Sequence, residues 1–397
     1  MEFGLYVHIP FCATRCPYCD FTITVTARRP EKEYAEALVA ELGARWRAGP
    51  WPRGRVSSVY FGGGTPSLVD PGVIERVLAE AHRLAGDRFS PREITLEANP
   101  EGLAPAPLER WRRAGVDRLS LGAQSFSERH LRFLGRAHDA PEIREAVRRA
   151  RAAGFENLNL DLIFGMPGQT LEELEADLDQ TLALGPPHVS AYNLTIEPKT
   201  ALHRRWKKGA FALPDEERQA EMFERVASRL TTAGLRRYEI SNFARPGYES
   251  VHNRHTWLRG SYLGIGTGAH SCIADPAGGV RSWNVRDHRG YIRQALAGES
   301  CEESAERLTV EEARREWVFL RLRMAEGFEA SAFGDQFGLS VEEAFPGVVD
   351  RLAEAGLVHP PPGPVALTAK GCLLSDEVFL AFYRDAATDP SPGGALR

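Results

Sequence analysis

The sequence predicts an α/β protein: a partial TIM-like (β/α)6 barrel followed by a small C-terminal domain, mainly helical and winged-helix-like. Three observations carry this expectation. Six short apolar runs alternate with amphipathic stretches through the first 193 residues. Glycine follows several of those stretches just before the next run, at Gly115, Gly154 and Gly185, as at the end of a helix that leads into a strand. No dinucleotide-binding fingerprint interrupts the pattern, which favours a barrel over a doubly wound sheet.

The apolar runs fall at 4–9, 56–61, 93–97, 118–122, 158–164 and 189–193, with helical stretches at 31–46, 71–84, 108–114, 141–153 and 171–184. Strands joined by helices pair in parallel, with right-handed crossovers. In such a barrel the functional residues stand at the carboxyl ends of the strands. Those ends carry, in order, a cysteine loop, Gly62-Gly-Gly-Thr65-Pro, Glu97-Ala-Asn-Pro100, Gly122-Ala-Gln124, Asp161 and Asn193. If the strand assignment holds, all of them meet at one rim.

Beyond the barrel, a helix is expected at 215–234, an extended piece at 238–243, and a histidine-rich turn from His252 to Trp257. A second glycine-rich segment covers 262–271, and helices at 310–325, 330–337 and 341–355 lead to a two-stranded wing. The expected units are a barrel at 1–235, a connecting segment at 236–301 and an accessory domain at 302–387. The tail at 388–397, rich in Pro and Gly, is expected to be disordered.

Composition narrows the function classes. A formal net charge of −5 argues against general nucleic-acid binding. The last helix before the wing sets Glu342, Glu343, Asp350 and Glu354 against Arg351 alone, which would repel phosphates. No apolar run approaches the ~18–20 residues of a membrane span. The first residues lack a signal-peptide pattern, so a cytoplasmic location with reduced thiols is expected.

Three of the six cysteines, Cys12, Cys16 and Cys19, fall within eight residues as C-x3-C-x2-C. Pro17 disfavours a helical conformation at Cys16, so a loop wrapped around a metal centre is expected. A zinc site completed by His8 or Asp20, or simply buried thiols, would use the same residues. A four-iron cluster held by three thiolates leaves one iron open to an exchangeable ligand. Taken singly, Gly62–Gly64 could be a plain turn, and Glu97, Gln124 and Asp161 could be satisfied polar groups of a barrel interior.

The string Tyr6-Val-His-Ile-Pro-Phe-Cys12, then Gly-Gly-Gly-Thr65-Pro, Leu121-Gly-Ala-Gln-Ser-Phe and Asp161-Leu-Ile-Phe-Gly-Met-Pro-Gly-Gln-Thr, resembles the radical S-adenosylmethionine superfamily. Within it, the chain is similar to the branch that holds oxygen-independent coproporphyrinogen III oxidase and related haem chaperones. The likeness runs to about residue 385. It implies a [4Fe-4S] cluster on Cys12, Cys16 and Cys19. It also implies S-adenosylmethionine held by Tyr6, Tyr18, Gly63, Gly64, Thr65, Glu97, Gln124, Arg136 and Asp161. The implied chemistry is one-electron reductive cleavage of the sulfonium to a 5′-deoxyadenosyl radical.

Haem chaperones of this branch carry His-Asn-x-x-Tyr-Trp where this chain reads His252-Asn-Arg-His-Thr256-Trp257. The resemblance implies His252 as a haem ligand, although Thr256 stands in place of the tyrosine. The oxidases add a fourth cysteine two residues after the third, where this chain has Phe21, and a longer segment before the cluster loop. Both departures point to a haem chaperone that hands haem to an acceptor protein, with the oxidase as the alternative. The resemblance also allows a reductant protein, a homodimer and peripheral membrane association.

Overall fold

The computed structural model describes residues 1–383. The tail expected at 388–397 lies outside them. Six parallel strands form as the alternation predicts: β1 (Glu2–Ile9), β2 (Arg55–Gly63), β3 (Ile94–Ala98), β4 (Arg118–Gln124), β5 (Asn157–Phe164) and β6 (His188–Asn193). The crossovers are α1 (Glu31–Ala48), α2 (Pro71–Ala85), α3 (Pro105–Ala114), α4 (Ala140–Ala152) and α5 (Leu171–Ala183). Capping explains where several begin. Asp70 accepts from the Gly72 N–H at the start of α2, and capping boxes pair Asp139 with Glu142 and Thr170 with Glu173.

Each strand presents two chemically different faces, because successive side chains alternate. Phe3, Leu5, Val7 and Ile9 of β1 are fully buried and pack outward with the helices. The other parity holds Gly4, Tyr6 and His8. The same division recurs in β4, with Leu119, Leu121 and Ala123 fully buried while Arg118, Ser120, Gly122 and Gln124 line an interior cavity. The outer face builds the core and the inner face builds the site.

The connecting segment expected at 236–301 is part of this sheet. After α6 (Glu216–Thr232), β7 (Arg236–Arg237) and β8 (Asn242–Ala244) close one edge, with β8 antiparallel to β6. The histidine-rich turn is a helix, α7 (Val251–Trp257). Ser250 caps it through the Asn253 N–H, which turns a polar, loop-like sequence into a helical one. On the other edge β9 (Ser261–Ile265) pairs in parallel with β1, and β10 (His270–Asp275), β11 (Gly278–Asn284) and β12 (Glu302–Leu308) follow antiparallel. The result is one 12-stranded sheet in the order β12-β11-β10-β9-β1-β2-β3-β4-β5-β6-β8-β7.

The C-terminal domain has its own core around Trp317, Phe328, Phe333 and Phe345. Its helices α8 (Val310–Arg323), α9 (Ala330–Phe337), α10 (Val341–Ala344) and α11 (Val348–Glu354) precede an antiparallel pair, Val358–His359 with Ala366–Leu367, and two short helices, Ala369–Leu373 and Ser375–Ala381, follow it. The single helix expected over 341–355 is broken in two. Pro346 pushes Phe345 out of helical angles (φ −138°, ψ 70°), and Gly347 turns left-handed at φ 66° before α11 begins. Among the described residues, no helix is long and apolar enough to cross a membrane.

Candidate functional site

The cysteine loop leaves the carboxyl end of β1 and is clamped at its base. Phe11–Cys12 pairs in parallel with Thr24–Val25, and the Thr24 N–H donates to the Pro10 carbonyl at 2.7 Å. Within the loop the Cys19 N–H donates to the Cys16 carbonyl at 3.2 Å, a turn that brings the second and third thiols around. All three thiols line one cavity of about 450 Å³. Burial pushes the Cys12 thiol up, and pushes Cys19 up to about 11. Metal binding must therefore displace protons, as thiolate ligation requires.

No three His, Cys, Asp or Glu side chains among the described residues converge on a single ion. His8, which could have completed a zinc site, is engaged elsewhere. Its Nε2 lies 2.8 Å from the Thr22 carbonyl, which fixes that nitrogen as the donor. Its Nδ1 then accepts from the Tyr6 hydroxyl at 3.1 Å. Cys12, Cys16 and Cys19 would hold an iron–sulfur cluster by three corners.

The glycine run at the end of β2 lies directly against this loop. The Gly64 N–H donates to the Ile9 carbonyl at 2.8 Å and the Thr65 N–H to the Phe11 carbonyl at 2.9 Å. A Cβ on Gly64 would come within 2.7 Å of the Pro10 carbonyl carbon. Gly63 has φ +112°, and a Cβ there would meet the His8 ring at 2.4 Å. The run is a tight turn whose bare backbone packs directly against the cysteine loop.

Around the rim the expected residues converge. Tyr18, Gly63, Gly64, Thr65, Glu97, Gln124, Arg136 and Asp161 all line the cavity with the three cysteines. Glu97 accepts from the Tyr60 hydroxyl at 2.8 Å and from the Gly63 N–H at 3.1 Å. Burial raises its pKa to about 7, with the Tyr60 hydrogen bond opposing the shift. Asp161 accepts from Asn159 at 2.8 Å and from Ser120 at 3.2 Å, and burial raises it too. Gln124 sits at φ 67° beside an irregularity in the β4–β5 register, the kind of local distortion that re-aims a side chain at a site. Arg136 donates to Asn99 Oδ1 at 2.7 Å and to the Gly122 carbonyl at 3.0 Å, while its Nη1 stands 3.7 Å from Cys16 Sγ. It ties the ends of β3 and β4 to the cluster loop.

Two expected residues lie elsewhere. Tyr6 stacks on Tyr60 inside the barrel, with ring centroids 6.2 Å apart, and does not line the cavity. His252 is 7% exposed and also does not line it. Its Nδ1 meets Ser58 Oγ at 2.9 Å and its ring packs on Tyr60, so the expected haem ligand is built into the floor of the barrel. The next residue, Asn253, reaches the cavity instead. Sequence reasoning also missed Tyr60, Arg118, Ser120, Asn159 and Ser190, which line it from below. For most of them the signal was present: Arg118 and Ser120 share strand parity with Gln124, and Asn159 with Asp161, whereas Ser190 stands on the opposite parity to Asn193.

A barrel with this cysteine loop, glycine cradle and ring of rim groups defines a radical S-adenosylmethionine protein. The model of the "Radical SAM superfamily" matches residues 6–181, and that of the "HemN C-terminal domain" matches 308–374. "Heme chaperone HemW" of Bacillus subtilis is 38% identical over 95% of this chain and 98% of its own length. "Heme chaperone HemW" of Haemophilus influenzae is 36% identical over 96% of this chain and 98% of its own. Among solved structures, coproporphyrinogen III oxidase (HemN) from Escherichia coli aligns with a TM-score of 0.81 at 27% identity, covering 96% of this chain and 90% of that one. The chain belongs to the HemW family.

Proposed function

We infer that this protein is a haem chaperone, which binds haem and passes it to acceptor proteins while carrying a [4Fe-4S] cluster and S-adenosylmethionine. The observation that carries the reading is likeness to HemW proteins over nearly the whole of both chains. The cluster loop supports it. Phe21 stands where an oxidase relative would place sulfur, and it is 62% exposed at the cavity mouth.

Cys12, Cys16 and Cys19 would hold the cluster. Gly63, Gly64 and Thr65 would offer bare backbone to the methionyl end of the cofactor, with Arg136 beside its carboxylate. Glu97 and Asp161 would accept from ribose hydroxyls, as acidic groups do in nucleotide sites. When bound, the cluster supplies one electron to the sulfonium. The chain's part is to orient the cofactor and to exclude water from a cavity walled by strands. A reductant protein is needed only if the cofactor is cleaved.

The alternative, oxidation of a porphyrinogen, draws on the likeness to the HemN structure. Anaerobic reconstitution followed by haem titration and a coproporphyrinogen III turnover assay separates the two. Haem binding without turnover is expected. Robust protoporphyrinogen formation would overturn the chaperone reading.

A further inference from the structure

The second glycine-rich segment lines no part of the cofactor cavity, yet it is packed onto the cluster loop. A Cβ on Gly266 would come within 2.5 Å of the His8 carbonyl oxygen, and one on Gly268 within 2.9 Å of Thr22 Oγ1. The segment leads straight into β10, so His270 stands at the seam between the loop and the added edge of the sheet. The Gly268 N–H donates to the Val285 carbonyl at 2.9 Å, which brings Arg286 to the same seam.

A haem ligand needs a ring nitrogen free to donate. Of the eleven histidines, the rings of His82, His203, His270 and His359 make no hydrogen bond among the described residues. His82 packs on Phe89 near the end of α2, opposite the rim, and His359 belongs to the C-terminal antiparallel pair. His203 lies beside Trp206 within one short helix, Ala201–Lys207. His270 has more around it. It is exposed and sits directly across the strands from Trp283, the two rings stacked at 5.8 Å and 28°. Partial burial holds it below the ordinary histidine value, and the charges of Arg286 and Arg281 add to this against Glu306. The imidazole is therefore neutral, the form that ligates metal. Arg281 is committed to Glu306 and Glu316, whereas the exposed Arg286 has neither ion pair nor hydrogen bond among the described residues.

We propose that haem is carried at this seam, with His270 as the axial ligand of its iron and Arg286 facing a propionate. The proposal rests on the chaperone reading. The imidazole gives its lone pair to the iron, and no proton has to leave. An axial imidazole stands across the porphyrin plane, so Trp283, stacked on it, braces the ring in place. The porphyrin face finds its apolar contact on the loop side, where Phe21 and Val25 are 62% and 49% exposed. Exposure suits a carrier, since cargo held on a surface can pass to an acceptor without unfolding the donor.

The test titrates haem into the full-length, cluster-reconstituted protein and reads affinity together with the iron–histidine Raman band of the ferrous complex. The unaltered chain should show that band. His270→Ala should lose it with cluster absorption intact and bind haem at least roughly tenfold more weakly, since even groups that only brace a metal ligand are worth that much. Added imidazole should restore the band in that variant. His203→Ala and His252→Ala should keep both band and affinity. Arg286→Gln should remove a preference of about twofold to fivefold for haem over its dimethyl ester, the worth of an exposed ion pair. An unchanged band in His270→Ala overturns the site, and so does its loss in His203→Ala or His252→Ala instead. Haem bound by the unaltered chain with no iron–histidine band overturns it while leaving the chaperone reading standing. No haem binding at all sinks the chaperone reading and this site with it.

Discussion

The Ser58 hydroxyl meets His252 Nδ1 at 2.9 Å, on the barrel floor and outside the cavity that the cysteines line. Burial drives the His252 pKa down to about 3, with His255 and Arg118 adding to the shift, so the ring stays neutral at working pH. His252→Ala should cost about 1–3 kcal/mol of stability through lost packing and an unpaired Ser58. Haem affinity should change less than threefold. A thermal melt read beside a haem titration checks both, and a tenfold loss of haem affinity in a folded variant would restore His252 as the ligand.

Acid should weaken the fold through two such histidines. His8, pushed down to about 4 by burial, and His252 both have folded pKa values below the ordinary value near 6.5. The stability they lend is therefore full above pH ~6.5 and is lost as pH falls toward those folded values. Denaturant midpoints should drop between pH 6.5 and 4, and less steeply in His252→Gln.

Glu97 works in the opposite sense. Its folded pKa of about 7 lies above the unfolded carboxylate value, so the stability it lends is present below pH ~4.5 and is lost as pH rises through 7. Its ionised form is the better acceptor for ribose hydroxyls. S-adenosylmethionine should therefore bind more tightly as pH rises through 7, and Glu97→Gln should flatten that profile. A pH series by calorimetry tests it; an unchanged slope in the variant would show that another group is responsible.

Cys16→Ala should lose the visible absorption of a reconstituted cluster, whereas Cys272→Ala should keep it. Cys272 is buried in β10, in the added edge of the sheet and away from the cluster loop. Equal absorption in both variants would refute the ligand assignment.

The C-terminal domain is pinned by a buried pair. Arg259 donates through Nε to Glu316 Oε2 at 3.0 Å, with side-chain exposures of 4% and 9%, and Arg281 also pairs with Glu316. Glu316 belongs to α8, while Arg281 lies in β11 of the main sheet and Arg259 just before β9. Glu316→Gln strands a buried arginine and should cost about 3–5 kcal/mol. Urea titration followed by tryptophan fluorescence should show the C-terminal domain, with Trp317 at its core, melting first; a single unshifted transition would count against the clamp.

Much of the site was readable before any coordinates. The cysteine spacing, the glycine run and the polar residues at strand ends are local features, and a parallel β/α repeat sends every strand end to the same rim. What misled was α7. Its residues read as a turn because their polar side chains hide the helix, and Glu93, more than 150 positions earlier, anchors its first turn inside the barrel.

The added strands were equally hidden. Nothing in 261–265 says that it will pair with β1, because a parallel partner is chosen by the edge left free and not by any nearby residue. The sequence by itself determined the cysteine loop, the six-strand repeat and the rim that gathers around them, since each follows from spacing and alternation. Tertiary structure alone decided which residue of the His252–Asn253 pair lines the cavity, and that Arg118 arrives there beside Glu93 with its Nε unpaired. Those outcomes depend on what distant segments bring to the barrel floor, where burial turns an ordinary polar group into either a fixed support or an open site.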